Sequence, residues 1–225
     1  MSDATSNATR PIGGRWTLAA TVVLTAALGV LVGWLIFAPD APATDSVDAG
    51  FARDMSEHHA QAVEMSLLAL QASDDTDIDV LAYDIATTQS TQIGRMQTWL
   101  DHWDLPSARS GPRMSWMAPE AMISVEAGSA SNPGTPDYRP MPGMATRTEM
   151  EQLRAATSTE AEILFLQLMV THHIAGADMA QAAADSADTA EVTRLAEAMV
   201  NGQRGEIDLM TDLLRQRDAE PREGS

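Results

Sequence analysis

Apolar residues recur at alternating steps of three and four in four stretches of this chain, the period of a helix with one buried face. In the first stretch the series is Phe51, Met55, His58, Ala62, Met65 and Ala69. In the third it is Phe165, Met169, His172, Gly176, Met179 and Ala183. The second and fourth carry Ile85, Gln89, Gln92, Met96 and Trp99, and Met199, Gln203, Glu206, Met210 and Leu213. Short polar turns, Ser73-Asp74-Asp75-Thr76 and Ser186-Ala187-Asp188-Thr189, divide each pair of helices. Their Asp, Ser and Thr side chains can cap the helix that follows. The pattern predicts an all-α domain of two helical hairpins, over residues 45–104 and 146–217, closing into an antiparallel four-helix bundle.

The two hairpins are copies of one unit. Met55-Ser56-Glu57-His58-His59 with Glu64-Met65 matches Met169-Val170-Thr171-His172-His173 with Asp178-Met179 at a constant offset of 114 residues. The same offset pairs Phe51 with Phe165, and Gln89, Gln92, Ile93, Met96 and Leu100 with Gln203, Glu206, Ile207, Met210 and Leu214. Each copy spans about 55 residues, within domain size when two are joined.

Outside the repeat the pattern changes twice. Trp16 to Ala38 carries no charge, and roughly 20 apolar residues suffice to cross a bilayer. Arg10 and Arg15 precede it, and Asp40, Asp45 and Asp48 follow. That asymmetry places residues 1–15 in the cytoplasm, 16–38 in the membrane as a single anchor, and the rest, through the linker 39–44, outside. The apolar core exceeds the 7–15 residues or so of a cleaved signal peptide. Between the hairpins, residues 105–145 are rich in Pro, Gly, Ser and Met, including Met114, Met117, Met122, Met141 and Met144. Such composition has little capacity for regular structure. Thr146-Arg147-Thr148-Glu149 reads as a capping box for a short helix through Leu153, and Thr157-Ser158-Thr159-Glu160 as one for the third long helix. Residues 218–225 form a tail.

The repeated string concentrates metal-ligating chemistry, since it holds four of the five histidines. The helical period turns His58 and His172 inward and sets His59 and His173 at the flank of the seam. Across each antiparallel hairpin, His58 faces Gln89 and Gln92 with Met55 near Met96. By the repeat, His172 faces Gln203 and Glu206 with Met169 near Met210. Polar residues in a seam are costly unless paired, so Gln89, Gln92, Gln203 and Glu206 are candidates to orient the imidazoles from behind. Di-iron bundles place a Glu three residues before the inward His. Here that residue is Met55 and Met169. A thioether suits Cu(I) and disfavours Fe(III). Silver follows the same logic, and zinc gains little from Met. His102 has no counterpart in the repeat and is expected at the surface.

Composition narrows the classes. There is no cysteine, so disulfides and thiolate metal sites are excluded. There is no lysine, and the net charge of −18 opposes binding to nucleic acid.

The double His-His motif, each copy followed by an acidic-Met pair and later by Gln/Glu-Ile-x-x-Met-x-x-Trp/Leu-Leu, resembles the bacterial domain-of-unknown-function family 305 over about residues 48–216. The resemblance implies a ferritin-like four-helix bundle, often exported or membrane-anchored, with some members linked to periplasmic copper binding and resistance. By motif it implicates His58, His59, Met55, Met65, His172, His173, Met169 and Met179, which Met96 and Met210 join by position. Family copies commonly carry Pro before the His pair and Gln or Gly after it; Glu57, Ala60, Thr171 and Ile174 stand there in this chain. The expectation is a membrane-anchored, extracytoplasmic protein that sequesters or delivers copper. Two other functions fit the same residues. One is a metal-dependent oxidoreductase on that scaffold, which needs inward carboxylates. The other is a metal-free interaction bundle with buried His–Gln–Glu hydrogen bonds.

Overall fold

The computed structural model describes residues 13–37, 41–109, 111–117 and 140–222. Among them are six helices and no strand: α1 (Gly13–Phe37), α2 (Val47–Ala72), α3 (Thr76–His102), α4 (Arg147–Ala155), α5 (Ser158–Ser186) and α6 (Ala190–Arg215). The chain divides into two units, Met1–Ala41 and Pro42–Ser225. The first contains α1, whose apolar stretch Leu18–Gly33 has Leu, Val and Ala exposed along it. The helix begins three residues before the uncharged run. Arg10, Ala38 and Asp40 lie outside the described residues.

In the second unit α2 packs on α3, α5 packs on α6, and the two hairpins meet through α2 and α5. The short α4 lies on both of these central helices. Hydrogen bonds at both ends set α2 and α5 antiparallel. Asp48 at the start of α2 accepts from the Asp188 and Thr189 amides and the Thr189 hydroxyl beyond the end of α5. Ser73, after α2, donates to Glu162 in the first turn and a half of α5. Central position explains why α5 is apolar enough to pass for a membrane span: its most apolar window is 67% buried inside the domain.

The helix starts are only partly those the sequence suggests. Asp75 caps α3 by accepting from Asp77 and Ile78 amides, and Thr146 with Glu149 forms a complete capping box on α4. Thr157 and Thr189 make no such cap. The Thr189 hydroxyl is instead committed to Asp48, and Ser158 opens α5 at φ +51°. In α3 the seam closes on buried Leu100, with Trp99 half-buried beside it.

The core forms two apolar clusters. One holds Phe51, Met55, Met96, Leu100, Met179 and Met199; the other holds Met65, Ile78, Ile85, Phe165, Met169, Met210 and Leu213. The connection between hairpins has no helix in its described parts, yet those parts are packed into the core. Met114 and Met117 from one end, and Met141 and Met144 from the other, are buried in the first cluster. Met122 lies outside the described residues. Asp54 explains how the first of these ends is held. Its buried carboxylate accepts from the Met114 amide at 2.7 Å and Trp116 Nε1 at 2.9 Å, and it pairs with Arg109.

Candidate functional site

Where α2 crosses α5, the four histidines of the repeat form one buried layer. The rings of His58 and His172 lie 3.7 Å apart between centroids, tilted by 31°. His172 is 6.2 Å from His173 by the same measure. His58, His59 and His173 have no exposure and His172 has 1%. His59 and His173 are therefore not at a flank.

The hydrogen bonds correct the expected pairing. Gln92 Oε1 and Glu206 Oε2 each accept from the second histidine of a pair, His59 Nε2 and His173 Nε2, both at 2.7 Å. The first histidines look elsewhere. His58 Nε2 donates to Pro142 O at 3.2 Å, and His172 Nε2 donates to His58 O at 3.1 Å. Successive helical residues point about 100° apart. In each pair the second ring therefore faces its own hairpin partner, and the first faces the other hairpin.

All four Nε2 partners are oxygens that accept, so each imidazole carries its proton on Nε2 and leaves a lone pair on Nδ1. The Nδ1 atoms of His58, His59 and His173 are buried with no hydrogen-bond partner. Buried polar atoms are rarely left so, and here three belong to histidines of one buried layer.

Burial also holds the rings neutral. It pushes His58 down to about 4, opposed by the bond to Pro142. Burial, and then the neighbouring His58, push His59 down to about 3. His172 is driven well below the usual range by burial and then by His58. Neutral imidazole is the form that ligates metals, so no proton has to leave at neutral pH.

Gln89 and Gln203 are buried, and the Oε1 of each has no partner. Gln203 reaches the histidines because of Gly176. A Cβ there would stand 2.6 Å from Gln203 Oε1 and 3.2 Å from both Gln203 Nε2 and His58 Cε1. The first repeat has Ala62 at the matching position. The copies also differ in offering a neutral amide, Gln92, to one histidine and a carboxylate, Glu206, to the other.

The candidate methionines lie to both sides of the layer. Met55 and Met96 share a cluster with Met179, whereas Met169 and Met210 share the other with Met65. Each +7 methionine thus joins the opposite hairpin, as antiparallel crossing requires. Glu57 and Glu64 face away, paired with Arg109 and Arg113 and with Arg154 respectively. His102 is exposed. Among the described residues no three His, Cys, Asp or Glu side chains gather as a metal-holding group.

Two contacts were not legible in the repeat. Pro142 O meets His58, and Gly143 lies against α5 with φ +69°. A Cβ at Gly143 would meet Thr171 O at 2.7 Å and Ala175 Cβ at 2.6 Å. The Met-Pro-Gly-Met string was the available signal, since Pro-Gly marks a turn.

Residues 48–214 match the model of a domain of unknown function (DUF305). The chain belongs to this family. The crystal structure of a DUF305 protein from Streptomyces coelicolor is similar at 44% identity, covering 80% of this chain and 99% of that one, with a TM-score of 0.69. A DUF305 fragment from Deinococcus radiodurans is 30% identical over 79% of this chain and 99% of its own, with a TM-score of 0.59. CopM in its Cu(I)-bound form is 21% identical over 75% and 96%, with a TM-score of 0.55, a likeness of fold. CopM is also solved in Cu(II)-bound and Ag-bound forms. No curated protein sequence matches this DUF305 chain.

Proposed function

We propose that this DUF305 protein binds Cu(I) outside the cytoplasm, sequestering or delivering it, on a ferritin-like four-helix bundle tethered to the membrane through residues 16–38. One observation carries the reading. Four buried imidazoles donate through Nε2, and three of them present an unpartnered Nδ1 within a core whose other donors are methionine sulfurs. His58, His59, His172 and His173, with Met55, Met65, Met96, Met169, Met179 and Met210, would hold the metal. Gln92 and Glu206 orient the imidazoles from behind, as outer partners of metal-bound histidine do. Gln203 lies beside the same layer, against Gly176 and His58, and Gln89 would join it.

Soft donors favour Cu(I), and Ag(I) by the same chemistry. The related fold of CopM, solved with copper and silver, supports the choice of ion. The apolar, 25-residue α1 supports the tether. The net charge of −18 favours cations over nucleic acid at the surface.

Thermal unfolding of the full chain with and without Cu(I), held anaerobically, tests the proposal. Ligand at a hundred times its Kd stabilises by about 2.7 kcal/mol, which raises Tm by roughly 5–10 °C for a domain of this size. The His58→Ala/His172→Ala variant loses the shift. An unchanged wild-type Tm at micromolar Cu(I) would leave the layer as a metal-free structural device.

A further inference from the structure

The two hairpins do not by themselves enclose the histidine layer. A strap, residues 140–145, crosses it on one side and has no equivalent in the repeat. Its backbone touches both histidine helices at the level of the stacked pair. Pro142 O accepts from His58 Nε2 at 3.2 Å. The position a Cβ would take on Gly143 lies 3.2 Å from His172 Cα and 2.7 Å from Thr171 O. Only glycine fits, both for space and because φ is +69°. One residue beyond Met144 the strap is pinned again. The Gln61 side-chain amide donates to Ala145 O at 2.9 Å and accepts from Ala145 N at 2.6 Å.

The strap therefore holds a fixed position against His58 and His172, and a methionine stands on either side of the contact. Met141 is 1% exposed and Met144 5%. Both enter the cluster that contains Met55, Met96 and Met179. Consecutive Cα atoms are about 3.8 Å apart, so each thioether starts one residue from a group touching the histidine pair. The strap meets the layer through a main-chain carbonyl, Pro142 O, and its two large buried side chains are both soft donors.

We propose that Met141 and Met144 are further thioether ligands, completing from the strap the soft-metal site of His58 and His172. The inference rests on the Cu(I) reading above and adds donors that the duplicated motif lacks. It makes the connecting segment part of the metal site as well as of the fold.

The test uses the full chain, with Cu(I) affinity measured by competition with a chromogenic chelator and copper–sulfur scattering by X-ray absorption. Met→Leu nearly conserves volume and is tolerated in cores. Met141→Leu/Met144→Leu is expected to bind Cu(I) at least tenfold more weakly and to show reduced sulfur scattering. Met150→Leu, in the other apolar cluster, is expected to match wild type. On the unaltered chain labelled with 13C-methyl methionine, Ag(I) is expected to shift the Met141 and Met144 methyl resonances, a readout independent of how the double variant folds. Wild-type affinity and scattering in the double variant, or unmoved methyl resonances when Ag(I) binds, overturn the inference alone. A wild-type chain that binds neither ion overturns the Cu(I) reading and this inference with it.

Discussion

Lowering the pH from 7.5 to 5.0 should strip much of the stability from the metal-free protein, and the histidine layer sets how much. Burial depresses His58 to about 4 and His59 to about 3, and carries His172 well below its ordinary value. The sign follows from linkage. Between pH 6.5 and these values the unfolded chain binds protons that the folded chain refuses, so stability is full above 6.5 and falls as pH falls. At pH 5.0 His58 and His59 then cost about 2 kcal/mol each, about 4 kcal/mol together, and His172 acts in the same direction. That is a large share of a typical domain's 5–15 kcal/mol or so. Two effects oppose it. Burial raises Asp178, with Arg204 opposing, so its proton is taken up more readily in the folded state. Acid also relieves the repulsion of a chain at −18. Urea unfolding followed by tryptophan fluorescence at pH 7.5, 6.5, 5.5 and 5.0 measures the slope. His59→Gln should flatten it, removing about 2 kcal/mol of the loss at pH 5.0, because one depressed group is gone. Stability that is level or rising between pH 7.5 and 5.0 would refute the reasoning.

Three further predictions concern groups that hold the layer and the connecting segment. Replacing Glu206 by Gln keeps an acceptor for His173 Nε2 and should cost under about 1 kcal/mol, whereas Glu206→Leu strands a buried donor and should cost roughly 1–3 kcal/mol in the same urea assay. Equal losses would show that the carboxylate does not fix the imidazole. Gly143→Ala sets a methyl against Thr171 O and Ala175; overpacking together with a left-handed backbone should cost about 2–4 kcal/mol, and a neutral result would contradict the close fit of the strap. Asp54→Ala leaves Arg109, the Met114 amide and Trp116 Nε1 without their buried acceptor. A loss of about 3–5 kcal/mol is expected, along with a red shift of tryptophan emission as Trp116 is released. Unchanged emission would contradict the anchoring of residues 111–117.

The helices and the inward histidines were legible because burial on one face writes a 3.6-residue period into the sequence. The repeat added the register that brings both His-His pairs to one level. Partner choice was not legible. His58 and His59 differ by one residue, and which one meets Gln92 depends on where the second hairpin lies, a fact outside any local pattern. The cap expected at Thr189 failed for a related reason. The Thr189 hydroxyl had a local use in capping α6 but serves Asp48, 141 residues away. The connection looked unstructured because it lacks periodicity, while Met114, Met117, Met141 and Met144 are buried one by one through tertiary contacts. Its clearest written signal was Pro142-Gly143 between two methionines.

The central claim is that the histidine layer binds Cu(I), and an anaerobic equilibrium titration of the full chain against a Cu(I) chelator tests it most directly. Wild-type protein should bind with sub-micromolar Kd, and His58→Ala/His172→Ala should weaken binding by at least a hundredfold. Equal affinity in the two proteins would place the metal elsewhere and contradict the account.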